Sequence, residues 1–146
     1  QCHLNVRQQA LIKLGSRAYA YAEKNPPFPR QSNKCNLFVA HKATDGGAPV
    51  PWINSDRLGI TNYPPVANQW SGTEVKNIPT WTLLPVTAMP QPGYVAARGI
   101  HNATGHTGIL DYDGARISAG GSNVNRNADL RSSVYQTARI RKYTPN

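Results

Sequence analysis

Apolar positions near the start of the chain recur at helical spacing. Val6, Ala10, Leu14, Ala18 and Tyr21 fall three or four residues apart, with Leu11 and Ala22 beside them, which predicts an amphipathic helix over residues 3–25. The run Asn25-Pro26-Pro27-Phe28-Pro29 stops it, because proline lacks the amide hydrogen a helix needs. A second helix is expected over 34–43, carrying Leu37, Phe38, Val39 and His41. Ser32 or Asn33 is placed to cap its start, and Thr44-Asp45-Gly46-Gly47 suits its end. Residues 48–92 are rich in Pro, Asn, Gly and Trp and read as irregular, with one short helix near 64–70.

Beyond Pro92-Gly93 the period shortens to two, the spacing of strands. Tyr94–Ala97 is one, His106–Tyr112 a second and Ala115–Ala119 a third; Asp113-Gly114 between the last two is a type I′ hairpin signal. Residues 134–143 alternate as a final strand. Helices first and an antiparallel meander after them make an α+β layout, with the helices on one side of the sheet. At 146 residues the chain fits a single domain, 1–146.

Charge narrows the partners. Sixteen Lys and Arg against seven Asp and Glu give +9, with Arg126, Arg131, Arg139, Arg141 and Lys142 gathered near the C-terminal end against Asp129. Such a surface suits anionic polymers, an acidic inhibitor protein, or simply solubility. Nucleic-acid recognition asks for interleaved aromatics, a recognition helix or a zinc module besides, and the sequence has none of these signals. No apolar run reaches the roughly 18 residues of a membrane span, so none is expected. The chain starts with Gln rather than Met and shows no secretory signal, as a processed chain or an excised domain would.

Several chemistries find no motif. The sequence has no phosphate-binding Gly-x-x-x-x-Gly-Lys loop, no Gly-x-Ser-x-Gly elbow, and neither Cys-x-x-Cys nor His-Glu-x-x-His, so no metal or other cofactor is expected. Two glutamates and five aspartates show no pairing that points to glycoside hydrolysis.

A cysteine and a histidine remain. Cys35 falls in the first turn of the second predicted helix, where the positive end of the helix dipole favours a thiolate, and Lys34 pushes the same way. The amides of that turn can also receive an oxyanion. A buried structural thiol is the competing reading. His106 opens a predicted strand, with Gly105 and Gly108 leaving space around its ring, as a base facing that helix would need. A third group orients such a base: Ser118, across the hairpin, and Asn123 both qualify. His101 stands in a nearby loop and can line the site, whereas His41 is expected to pack or face solvent. Trp52, Trp70 and Trp81 are either covers over a small core or walls of a substrate groove; Trp52 and Trp70 are the candidates for substrate contact. Cys35 is expected to be free, because a disulfide with Cys2 would block it.

Four segments in order resemble the NlpC/P60 cysteine peptidases, a CHAP-like group. Lys34-Cys35-Asn36-Leu37-Phe38-Val39 with Gly46-Gly47-Ala48-Pro49-Val50-Pro51 resembles the family's nucleophile helix and following turn. Met89–Ala96 resembles the strand before its histidine, Gly105-His106-Thr107-Gly108-Ile109 resembles the histidine strand, and Ile117-Ser118-Ala119 resembles the strand carrying the third polar residue. The family often has Asp-Cys-Ser-Gly at the nucleophile, an Asp where Tyr94 stands, and His or Asn in place of Ser118. The resemblance spans about residues 30–120. It implies a papain-like fold and cleavage of amide bonds in peptidoglycan peptides, with Cys35 attacking and His106 moving the proton. A small basic member is also similar to the amidase effectors of type VI secretion, which implies a secreted antibacterial toxin acting in the periplasm or cell wall and neutralised by a cognate immunity protein.

Two other classes stand beside this one. The same fold carries acyltransferases and deamidases, which would show apolar surface near the nucleophile. A cationic wall-binding module without chemistry would leave Cys35 an ordinary thiol.

Overall fold

The computed structural model describes residues 2–100, 105–127 and 138–145 and is a mixed α+β structure. Helix α1 spans Cys2–Ile12, α2 Cys35–Asp45 and the short α3 Ala67–Trp70. Strands β1 (Asn54–Ser55) and β2 (Asn62–Tyr63) form a small hairpin. Strands β3 (Trp81–Leu83), β4 (Val95–Arg98), β5 (His106–Leu110), β6 (Arg116–Ala119), β7 (Val124–Asn127) and β8 (Arg139–Tyr143) form one sheet. Its order is β3-β8-β4-β5-β6-β7, with every neighbouring pair antiparallel.

The helices lie on one face, as the α+β reading expects. Val6 and Ala10 of α1 and Leu37, Phe38, Val39 and Ala43 of α2 pack with Val95, Ala97, Ile109, Ile117 and Ala119 of the sheet. Side chains alternate along a strand, so Ala96, Leu110 and Ile140 turn to the other face and form a second, smaller cluster. Fully burying a side chain of this size is worth about 1.5–3 kcal/mol, so the row on α2 fixes where that helix begins.

Between β5 and β6 the chain reverses through Asp113 and Gly114, both at positive φ, as a type I′ turn requires. Register then follows: Ile109 opposes Ile117 and Leu110 opposes Arg116.

Three expectations change. The first helix ends at Ile12 rather than at residue 25: Gly15 takes a positive φ, and its amide bonds to Val124 instead of continuing the spiral. Leu14 and Tyr21 are correspondingly exposed, although their spacing imitates a helix. The second helix has no side-chain cap; Lys34 occupies that position. The sheet is no simple meander, because β8 inserts between β3 and β4, and the polar strand β7 extends the far edge. Of the expected last strand, residues 134–137 lie outside the described residues, and pairing begins at Arg139.

Arg141 is a further surprise within a segment read as part of a basic cluster. It is buried, and it donates to the carbonyls of Trp70 (2.9 Å), Gln69 (3.0 Å), Trp81 (3.1 Å) and Lys76 (3.4 Å). One guanidinium thus ties β8 to α3 and the approach to β3. Arg141→Met should lower the stability to urea by about 3 kcal/mol, because the carbonyls lose a charged donor in a place water reaches poorly; a loss below about 1 kcal/mol would show that they are satisfied otherwise.

Candidate active site

Cys35 is the first residue of α2, and His106 is the first residue of β5. Both line one recess of about 110 Å³, together with Tyr21, Asn33, Lys34, Gly105, Ala119, Gly120 and Gly121. The N-terminus of α2 packs against β5, and the Thr107 backbone amide favours the ionised form of the Cys35 thiol. Thr107 is in turn held by its own hydroxyl, which donates to the Ala96 carbonyl at 2.9 Å.

His106 and Ser118 share a sheet face. Leu110 opposes Arg116, so two-residue alternation puts His106, Gly108, Arg116 and Ser118 on the Leu110 side of the sheet, the face away from α2, and not facing that helix as expected. The His106 Nε2 atom lies 3.0 Å from Ser118 Oγ, and Arg116 Nε donates to the same oxygen at 3.4 Å. Ser118 is wholly buried. Asn123 is exposed in the turn before β7, where its backbone carbonyl accepts from Gly120 and from the Asn125 side chain. Of the two candidates for orienting the base, Ser118 is the one in contact with it.

The electrostatics differ from the simple helix-dipole expectation. Burial pushes the Cys35 thiol up; the backbone amides of Thr107, Asn36 and Cys35 and the charge of Arg116 oppose this without reversing it. Desolvation outweighs the dipole because Cys35 is only 6% exposed. Burial, followed by the positive charge of Arg116, pulls His106 down to about 4. At rest the thiol and the imidazole are therefore both neutral.

Lys34 does not act as expected. Its ammonium donates to the carbonyls of Ser32 (2.9 Å), Ala20 (3.2 Å) and Tyr21 (3.4 Å) in the segment before α2. The nearby charge that acts on both Cys35 and His106 is Arg116, which the sequence reading passed over. Gly108 makes room for it: a Cβ there would sit 2.5 Å from Arg116 Cγ, so the missing side chain admits a guanidinium stem rather than the imidazole.

Other candidates fall elsewhere. Trp70 is 1% exposed and packs edge-on against Trp81, so it is core and not a groove wall. Trp52 is partly exposed, but it stacks near His41 and is not among the residues lining the recess. His41 packs as expected, with Nδ1 2.6 Å from the Tyr19 hydroxyl. His101 lies outside the described residues. Cys2 and Cys35 are both free thiols. Among the described residues, no three His, Cys, Asp or Glu side chains gather as metal ligands would, and no helix is long and apolar enough to cross a membrane.

Cys35 also opens onto a second hollow of about 300 Å³, lined by Phe28, Tyr63, Val66 and Ala67 with Ser32, Asn33 and Asn36. Phe28 and Tyr63 are shared with a third, of about 430 Å³, bounded by Pro27, Pro29, Asp56 and Thr61. The thiol thus sits where a small polar recess meets a longer, largely apolar trough. No family model matches the chain, and no curated protein matches it.

The buried histidine has a consequence for stability. Its folded value, about 4, lies below the ordinary 6.5, so the unfolded chain binds the proton more readily between these values. Stability should therefore fall as pH drops from 6.5 to 4, by up to about 3 kcal/mol. Urea titrations of the protein and His106→Gln across that range check this: the variant should lose most of the slope, and parallel curves would contradict the assignment.

Proposed function

We propose that the protein is a papain-like cysteine hydrolase that cleaves amide bonds in peptidoglycan peptides. The observation that carries the proposal is the shared recess of Cys35 and His106, with Ser118 hydrogen bonded to Nε2 of the ring. The resemblance of the segments around Cys35, His106 and Ser118 to NlpC/P60 peptidases supplies the substrate class. A secreted role against the wall of another bacterium, with an acidic immunity protein as partner, fits the +9 charge.

In this mechanism Ser118 holds Nε2, leaving Nδ1 to accept the Cys35 proton as the sulfur attacks the substrate carbonyl. The amides at the start of α2, which carry no side-chain cap, face the oxygen that becomes negative. The imidazolium then returns its proton to the leaving nitrogen as the C–N bond breaks. A water activated by the same ring hydrolyses the thioester and restores the thiol.

The apolar trough beside Cys35 favours a second reading, acyl transfer from or onto an apolar group by the same Cys–His chemistry. The two are separated by substrate. Digestion of purified sacculi, with muropeptides separated and weighed, should show new peptide fragments with the wild type and at least a ~10³-fold slower release with Cys35→Ala or His106→Ala. An unchanged muropeptide profile, with hydrolysis of long-chain acyl esters that depends on Cys35, would replace the wall reading with the acyl-transfer one.

A further inference from the structure

We propose that Arg116 is a positioning residue of the Cys35–His106 pair: its Nε–H holds the Ser118 hydroxyl that orients His106, and its buried charge acts on both members of the pair at once. The inference rests on the reading of Cys35 and His106 as nucleophile and base, but concerns a residue that this reading does not need.

The geometry is built for it. Arg116 is 4% exposed on β6, two residues from Ser118 and on the same sheet face. The opposing strand has glycine at position 108, where any side chain would strike the Arg116 stem. Arginine can only donate, so the polarity of its contact with Ser118 is fixed: Nε–H gives and Oγ accepts. One lone pair and the hydroxyl hydrogen are then left for His106. Ser118 can donate to a bare Nε2 or accept from a protonated one, and so remains bonded to the ring in both states of the proton transfer.

The charge works in one direction on both partners. A cation beside a thiol favours its ionised form, and a cation beside an imidazole disfavours its protonated form. Thiolate and imidazolium are therefore both moved toward lower pH, and the imidazolium becomes a better proton donor to a leaving amine. The other charged and titratable groups near the pair do not share this role. Lys34 at the start of α2 is engaged with three carbonyls, Tyr21 lines the recess from the segment before α2, and Asp111 at the far end of β5 is held by Arg7 and Arg126.

The test uses the resting protein without substrate, so its outcome is independent of whether peptidoglycan is cut. The His106 titration is followed by nitrogen-15 NMR. The Cys35 titration is followed as ultraviolet thiolate absorbance, with Cys35→Ala subtracted. In Arg116→Gln both midpoints should rise by about one pH unit, a tenfold change in each ionisation equilibrium, and Arg116→Lys should restore most of that shift. Midpoints that stay at the wild-type values in Arg116→Gln, or that move equally in Arg116→Lys, would overturn the proposal. Ser118→Ala is read separately, and decides the matter if Arg116→Gln does not fold. Its His106 nitrogen spectrum should pass from one tautomer to a mixture, and an unchanged spectrum would overturn the positioning role.

Discussion

Helix α2 is seated on β5 and β6 through Leu37, Phe38, Val39 and Ala43, all fully buried, and the position of the Cys35 sulfur follows from that seating. The thiol stands on the first residue of the helix and has no side-chain cap to hold it. It is placed by the packing of the turns behind it, and the Thr107 amide of β5 favours its ionised form. A shift of α2 along the sheet would carry the sulfur away from His106 while leaving every local feature of the helix intact. The apolar row on α2 is thus as much part of the site as the residues that line the recess.

Burial sets the character of the pair. A helix N-terminus in water would favour a thiolate, but here the same packing that positions Cys35 removes the solvent that would stabilise its charge. His106 suffers the matching penalty, and Arg116 adds to it. Both groups are neutral at rest, so in the proposed mechanism the proton would move during attack rather than before it. Stabilisation of the developing charge would then fall to backbone amides and to one buried guanidinium, both fixed before any substrate arrives.

Much of this was legible in the residues. The alternation in Val95–Ala97, Thr107–Leu110 and Ile117–Ala119 and the Asp113-Gly114 turn marked the centre of the sheet, and Cys35 at a helix start and His106 at a strand start were readable from their neighbours. What escaped depends on contacts between distant segments. The helical spacing of Leu14 and Tyr21 carries no buried face, because Gly15 and the β6–β7 turn redirect the backbone. Val124–Asn127 has no apolar alternation to mark it and is a strand through its pairing with β6. Arg116 and Arg141 look like surface charge in a basic sequence, and Lys34 looks like a charge aimed at the thiol. Their burial is decided by carbonyls and a serine hydroxyl that no local pattern announces.

The central claim is that Cys35 owes its chemistry to His106, and competitive labelling tests it most directly. The protein and His106→Ala are treated with limiting iodoacetamide, and the modified peptides are quantified by mass spectrometry with Cys2 as the internal reference. Cys35 is the more buried of the two free thiols, so accessibility alone favours Cys2. Cys35 should be labelled first in the wild type and lose that advantage in His106→Ala. Preferential labelling of Cys2 in both proteins would show that Cys35 is an ordinary buried thiol, and the proposed site would fall with it.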